Sequence, residues 1–322
     1  MSTEQQAATD KIPVGVSSCL LGNEVRHNGG HKRDAYITGT LSDYFELRPF
    51  CPEVGIGLGV PRPTIRQVER DGMLRVVGVK DPDLDVTEAL HNYTAAQADA
   101  IAPLYGFIFK KDSPSCGMER VKVYNSKGMP ENRGTGIFAA GIKARFANLP
   151  MEEEGRLGDA RLRENFIQRV FIYHYWRTRV EPCLTVAALT GFHATIKLTL
   201  MSHDQNAARQ LGKLAATARP DNLGDVASQY LGDAMTTLKK VATTKNHVNV
   251  LQHIQGYLKT DLDSQDKAEL VEIIHQYLRG EVPLVVPITL LKHHFRRNPD
   301  PYIEQSWYMS PYPAELKLRN ML

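Results

Sequence analysis

Between Ile12 and about Asn148, short β-branched runs alternate with helix-forming stretches, and that alternation constrains the fold more than any other feature of the chain. "IPVGVSSCLL" is a run of strand length that breaks into a Ser/Cys/Gly loop. "HKRDAYITGTLSDYFEL" has helical spacing, and "RPFCPEVGIGLGVPRP" is dense enough in Gly and Pro to read as loop. "MLRVVGV" reads as a strand, and "VTEALHNYTAAQADAIAP" as a helix entered at Thr87-Glu88. "LYGFIFKKDSPSCG" repeats the opening theme, an apolar strand running into a turn that carries a cysteine. Strands alternating with helices predict an α/β, Rossmann-like domain with a mostly parallel sheet.

After Met151 the pattern changes. "MEEEGRLGDARLRENFIQRVFIYHYWRTRV" is charged and then aromatic, and helical stretches dominate beyond Pro182. We expect a disordered tail over residues 1–11, the α/β domain over 12–150, a helical linker over 151–182 and an all-α domain over 183–322. The 322 residues suffice for two domains. No apolar run reaches the ~18 residues of a membrane span, and "MSTEQQAATDK" lacks the apolar segment of a secretory signal. The expectation is a cytoplasmic protein with no membrane partner.

Four cysteines in a chain of this length do not suggest a disulfide framework. Cys19 in "SSCLLG", Cys51 in "FCPEVGIG" and Cys116 in "SPSCG" each lie in a loop signature, two of them directly after an expected strand. Loops following different strands of a parallel sheet meet at one edge, where three thiolates would suit a soft metal. Each cysteine taken alone reads as a small core residue. No CxxC pair is present, which disfavours a zinc knuckle. Cys183, in "EPCLTV", reads as a packed core thiol. "GIGLG" lacks the GxGxxG spacing of a dinucleotide loop.

The segments "SSCLLG…VRHNGG", "CPEVGIGLGVPR" and "KKDSPSCG" resemble the three signatures of the thiouracil desulfidase family, and the likeness covers roughly residues 12–150. "GFHATIKLTLMSHD" and "KNHVNVLQHIQGYLK" resemble the companion domain of unknown function fused to some members. The resemblance implies a [4Fe–4S] cluster held by Cys19, Cys51 and Cys116, with one iron left open. Four thiolates would close every iron, whereas three leave a position for a soft thiocarbonyl sulfur. The implied reaction removes sulfur from thiolated uracil by non-redox hydrolysis, giving uracil and sulfide. Its substrate is 4-thiouridine in tRNA, or free thiouracil or thiouridine nucleotides.

Glu53 matches the family's acidic position and is the expected base for water; its alternative reading is a loop carboxylate paired with Arg62. Ser113 is the favoured hydroxyl partner and Ser115 the second choice, although serines such as Ser17, Ser18 and Ser113 also serve as turn residues. Arg26, Asn28 and Ser115 are candidate substrate contacts. His27 stands where many relatives would carry Tyr, and Asn28-Gly29 is equally a plain turn.

From Cys183 onward there are 15 Lys/Arg against 13 Asp/Glu, and seven of the eleven histidines. Two local basic clusters, Lys239, Lys240 and Lys245, and Lys292, His293, His294, Arg296 and Arg297, are candidate RNA phosphate contacts. Each alone also reads as a solvated helix face. The aromatics of "FIYHYW" read as core. The overall charge of +3 permits a nucleic-acid partner without requiring one. The alternatives are a zinc-dependent nucleobase hydrolase using the same thiolates, and a non-catalytic RNA-binding protein with structural cysteines.

Overall fold

The structure, a computed structural model, describes residues 11–313, 316 and 318–320. The expected tail lies outside the described residues except for Lys11. The chain forms two compact units, Met1–Gly158 and Asp159–Leu322.

The first unit is built on a four-stranded sheet in the order β2-β1-β5-β8: β1 (Ile12–Ser17), β2 (Phe45–Phe50), β5 (Gly106–Phe109) and β8 (Met151–Glu153). All three pairings are parallel. Val14, Val16, Phe107, Ile108 and Phe109 are fully buried, as expected of parallel strands covered on both faces. Gly15 is required here, because a Cβ at that position would lie 2.4 Å from the Phe107 ring. Rings of Phe50, Phe107, Phe109 and Phe138 form the adjoining core, with centroids 4.2 to 6.3 Å apart.

"RPF", read from sequence as loop, is the end of β2. Pro49 is tolerated there because β2 is an edge strand that pairs only with β1, so a missing N–H costs no ladder bond on the open side. A second sheet, which the alternation did not signal, has the order β4-β3-β6-β7. It contains β3 (Ile65–Arg70), β4 (Met73–Gly78), β6 (Val121–Tyr124) and β7 (Pro130–Gly134). The β3–β4 hairpin turns at Asp71-Gly72, both at positive φ, and an Asp-Gly pair is a strong hairpin signature. Helices α1 (Thr87–Ala96) and α2 (Ile137–Arg145) are the longest described in this unit, beside single turns such as Pro52–Gly55. The Thr87 hydroxyl does not cap α1; it accepts the N–H of Val76 and ties the helix start to β4.

The second unit is helical. It starts at α3 (Ala160–Tyr175), whose N-cap Asp159 accepts the N–H groups of Arg161 and Leu162, a cap worth about 1 kcal/mol. Residues 151–182 therefore contain both the last strand of the first sheet and the first long helix of the second unit. There follow α4 (Val186–His203), α5 (Gln205–Ala216), α6 (Leu223–Leu238), α7 (Thr244–Gln255), α8 (Ser264–Arg279) and α9 (Val285–Arg297). Leu198, Val250, Leu251, Ile254, Leu270, Ile274, Leu291 and Tyr308 form one core cluster. Trp176 packs edge-on to Phe192 at 5.1 Å and Tyr175 stacks on the same ring at 5.8 Å, so "FIYHYW" contributes core aromatics. Cys183 corrects its sequence reading: it is exposed, because it ends a short turn between Pro182 and α4 rather than lying on a packed helix face. Among the described residues no helix is long and apolar enough to cross a membrane.

Candidate active site

In the first sheet β1 is flanked by β2 on one side and β5 on the other, so successive crossovers leave it in opposite directions. The carboxyl end of such a strand is the topological switch point of an open α/β sheet, where a crevice forms. Cys19 follows β1 directly, Cys51 follows β2, and the loop carrying Cys116 follows β5. The parallel register thus brings three cysteines that are distant in sequence to one edge. All three thiols are free; Cys19 and Cys51 are half-buried and Cys116 is buried.

Burial is the first cause that pushes up all three thiol pKa values, Cys19 to about 11, with Cys51 and Cys116 shifted in the same direction. The thiolates also repel one another: Cys51 raises both Cys19 and Cys116, which places its sulfur within electrostatic reach of each. Lys110 and Arg26 oppose the shift at Cys19, and the N–H groups of Val54 and Glu53 oppose it at Cys51. Tyr93 faces the same charges, and burial together with Cys51 and Cys116 pushes its hydroxyl up to about 12. Three soft donors whose anionic forms are disfavoured together fit a cationic, thiophilic group that would neutralise them. Among the described residues no three His, Cys, Asp or Glu groups lie close enough to hold a single metal ion.

Beside the cysteines, Glu53 is held at both oxygens. The Ser115 hydroxyl donates to Oε1 at 2.7 Å, while Arg62 Nε and Nη2 donate to Oε2 at 2.9 and 2.8 Å. The Arg62 side chain is 3% exposed and that of Glu53 16%, so this is a largely buried ion pair in which one carboxylate oxygen accepts two guanidinium N–H groups. Ser115 itself is fully buried. Glu53 thus has the Arg62 partner of the alternative reading and a serine partner as well, and that serine is Ser115 rather than Ser113. Ser113 lies one step back: its Oγ is 3.0 Å from Ser115 Oγ and accepts the N–H of Cys116 at 3.1 Å. It holds the turn that presents Cys116.

Two glycines admit this turn. A Cβ on Gly136 would lie 2.4 Å from the Ser115 carbonyl oxygen, and one on Gly117 would lie 2.9 Å from that of Ser113. Asn28 closes its own turn, with Oδ1 accepting the N–H of Gly30 at 3.2 Å and Gly29 at φ +77°. His27 uses its carbonyl, which accepts the Arg62 N–H at 2.9 Å and ties the Cys19 loop to the Cys51 loop. Ser17 accepts the N–H of Lys110 at 2.9 Å, and Asn23 donates to Ser18 at 2.7 Å. The sequence reading missed Tyr93 and Lys110. Tyr93 gave no signal, since it lies inside a regular helix far from any cysteine in sequence; Lys110 stood in a quoted motif, directly after β5.

The candidate RNA contacts of the second unit differ in their surroundings. Lys245, Arg296 and Arg297 are exposed. Lys240 pairs with Asp204 at 2.5 Å, and Lys292 is half-buried and donates to Ser310 at 2.7 Å. Lys239 is the C-cap of α6 and Lys240 follows it, while His294 is buried and belongs to the packing of α9.

Residues 14–154 match the model of a family described as 2-thiouracil desulfurase, and residues 197–313 match that of a protein family of unknown function, DUF1722. An uncharacterized protein, YbgA of Escherichia coli (strain K12), is 32% identical over 161 residues, 50% of this chain and 95% of its own length. Among solved structures, a [4Fe-4S]-dependent thiouracil desulfidase, TudS, is 30% identical, with 46% of this chain and 94% of that chain covered and a TM-score of 0.37.

Proposed function

In its first unit this chain belongs to the 2-thiouracil desulfurase family, and on that premise we propose that it is an iron–sulfur desulfidase acting on thiolated uracil by hydrolysis. One observation carries the reading: the loops after β1, β2 and β5 gather Cys19, Cys51 and Cys116 beside a carboxylate that is fixed at both oxygens. Cys19, Cys51 and Cys116 hold a [4Fe–4S] cluster, and Cys183, exposed in the second unit, does not. When bound, the cluster supplies an open, sulfur-preferring iron that polarises the carbon–sulfur bond.

The protein's own residues manage water and protons. Glu53 takes a proton from the attacking water and passes it to the sulfur, then takes the proton of the new hydroxyl as the carbonyl forms and the carbon–sulfur bond breaks, so that both water protons end on hydrogen sulfide. Arg62 fixes Oε2, and the Ser115 hydroxyl fixes Oε1. Ser113 shapes the turn, Arg26 lies within electrostatic reach of Cys19, and Asn28 lies in the adjoining loop; Arg26 and Asn28 contact the substrate. The unpaired thiols suit a reducing compartment such as the cytoplasm. The helical unit recruits tRNA carrying 4-thiouridine, and exposed Lys245, Arg296 and Arg297 are its best-placed phosphate contacts.

The zinc alternative needs thiolates converging at ~2.3 Å on one ion, and the cysteines offer no such grouping among the described residues. The test is turnover by anaerobically reconstituted protein of free 2- and 4-thiouracil, 4-thiouridine monophosphate and thiolated tRNA. Sulfide release with uracil formation, fastest on tRNA and weakening steeply with salt, supports the whole reading. Release from the free bases alone removes the tRNA assignment, and no release from any of them removes the desulfidase.

A further inference from the structure

The helical unit contains a cavity of about 440 Å³, within the ~300–1,000 Å³ range of small-molecule sites. Its lining divides by chemistry. Val282, Pro283, Leu284 and Leu318 supply an apolar wall, while Arg161, Lys245 and Arg319 contribute cations. Arg319 is 8% exposed; its Nε donates to Glu164 at 2.8 Å and its Nη1 to the Tyr308 carbonyl. Its Nη2 is buried and has no hydrogen-bond partner among the described residues. A buried guanidinium donor is costly to leave without an acceptor, so this N–H is available to an anion that enters the cavity.

Charge identifies that anion. Glu164 balances Arg319, and Arg279, also in the lining, is taken up by two carboxylates, Glu272 and Glu281. Arg161 donates to the Ala242 carbonyl at 3.0 Å, and neither it nor Lys245 is in an ion pair among the described residues. Arg161 and Arg319 both act electrostatically on His247 and Tyr277, so the two guanidiniums converge on the same space. His203 and His247 are buried and neutral, so among the described lining residues Arg161 and Lys245 are the two cations without an acidic partner. A phosphate monoester carries about −1.5 to −2 at neutral pH and has oxygens enough to engage both unpaired cations and Arg319 at once, which a carboxylate with its single charge and two oxygens does not. The apolar wall and the volume leave room for an organic body attached to the phosphate.

We propose that this cavity binds an organic phosphate monoester, the phosphate held by Arg161, Lys245 and Arg319 and the attached body packed on Pro283 and Leu284. The same chemistry is offered by a free nucleoside monophosphate and by the 5′-phosphate end of an RNA. The inference does not rest on the desulfidase reading, because every residue it uses lies in the helical unit and its readout is binding.

The experiment is calorimetric titration of the full-length protein with uridine 5′-monophosphate, uridine and inorganic phosphate. The nucleotide is expected to bind at least about tenfold more tightly than uridine, and also more tightly than inorganic phosphate. Arg161→Gln and Lys245→Ala, both at exposed positions, should each weaken nucleotide binding about fivefold or more without lowering the melting temperature. Arg319→Lys should abolish binding, but it disturbs a buried ion pair, so the two exposed variants decide the question. No nucleotide binding at millimolar concentration, equal affinity for uridine, or unchanged affinity in both exposed variants would overturn the proposal. A companion titration compares 5′-phosphorylated with 5′-hydroxyl RNA of one sequence: a preference for the phosphorylated strand assigns the site to RNA ends, and equal binding assigns it to free nucleotides.

Discussion

Ser115 and Glu53 lie 62 positions apart and are joined by a 2.7 Å hydrogen bond, with the hydroxyl donating to Oε1. That bond links the loop after β5 to the turn after β2, and so ties the proposed base to the residue next to Cys116. Replacing Glu53 by Gln keeps the shape and removes the proton acceptor. Turnover should fall by about 10²–10⁴ with iron content unchanged, as loss of general base catalysis predicts. Ser115→Ala should cost less, about tenfold, because one oxygen of the carboxylate loses its anchor while Arg62 still holds the other.

Arg62→Ala leaves a largely buried carboxylate without its partner and should destabilise the first unit by about 3 kcal/mol in urea denaturation. The double variant Glu53→Gln with Arg62→Ala should recover part of that loss, since the stranded charge is gone. Equal losses in the single and double variants would show that Arg62 acts through packing alone.

Gly136 lies against the backbone of the cysteine turn without being part of it. Gly136→Ala forces a Cβ to 2.4 Å from the Ser115 carbonyl and 2.7 Å from the Cys116 nitrogen, so the turn has to shift. Iron incorporation and turnover should both drop by tenfold or more, on the order of what a displacement of about 1 Å costs a catalytic site. The far-ultraviolet circular dichroism should stay unchanged.

Much of this site was legible in the sequence because it depends on strand ends. Cys19 and Cys116 follow apolar runs directly, and a parallel sheet gathers such positions whatever lies between them. Glu53 was accessible for the same reason, two residues from Cys51. The choice between Ser113 and Ser115 was not, because both lie in one turn and side-chain direction within a turn is set by its hydrogen bonds. Tyr93 was hidden by helical periodicity. The second sheet was obscured because β6 and β7 are short and polar, although the Asp71-Gly72 hairpin was available as a signal. Arg319 in the helical unit was unreadable, since nothing local distinguishes a buried arginine near a chain end from an exposed one.

The helical unit should lose stability in acid. Burial pushes His193, bonded to the Tyr230 hydroxyl, and His203 both down to about 4. The unfolded chain takes up a proton at each near pH 6.5 while the folded one does not, so their contribution is complete above pH 6.5. It is lost as the pH falls from there toward 4, by on the order of 2–3 kcal/mol for His203. Thermal denaturation between pH 7 and 4 should show the melting temperature falling through that window, and His203→Gln should flatten the fall.

The central claim, that Cys19, Cys51 and Cys116 and not Cys183 hold a cluster, is tested most directly by iron and acid-labile sulfide analysis after anaerobic reconstitution. The account predicts about four of each per chain in the unaltered protein and in Cys183→Ser. It predicts loss of both from Cys19→Ser, Cys51→Ser and Cys116→Ser. A full complement of iron and sulfide in any of those three variants, or a single zinc in the unaltered protein, would contradict it.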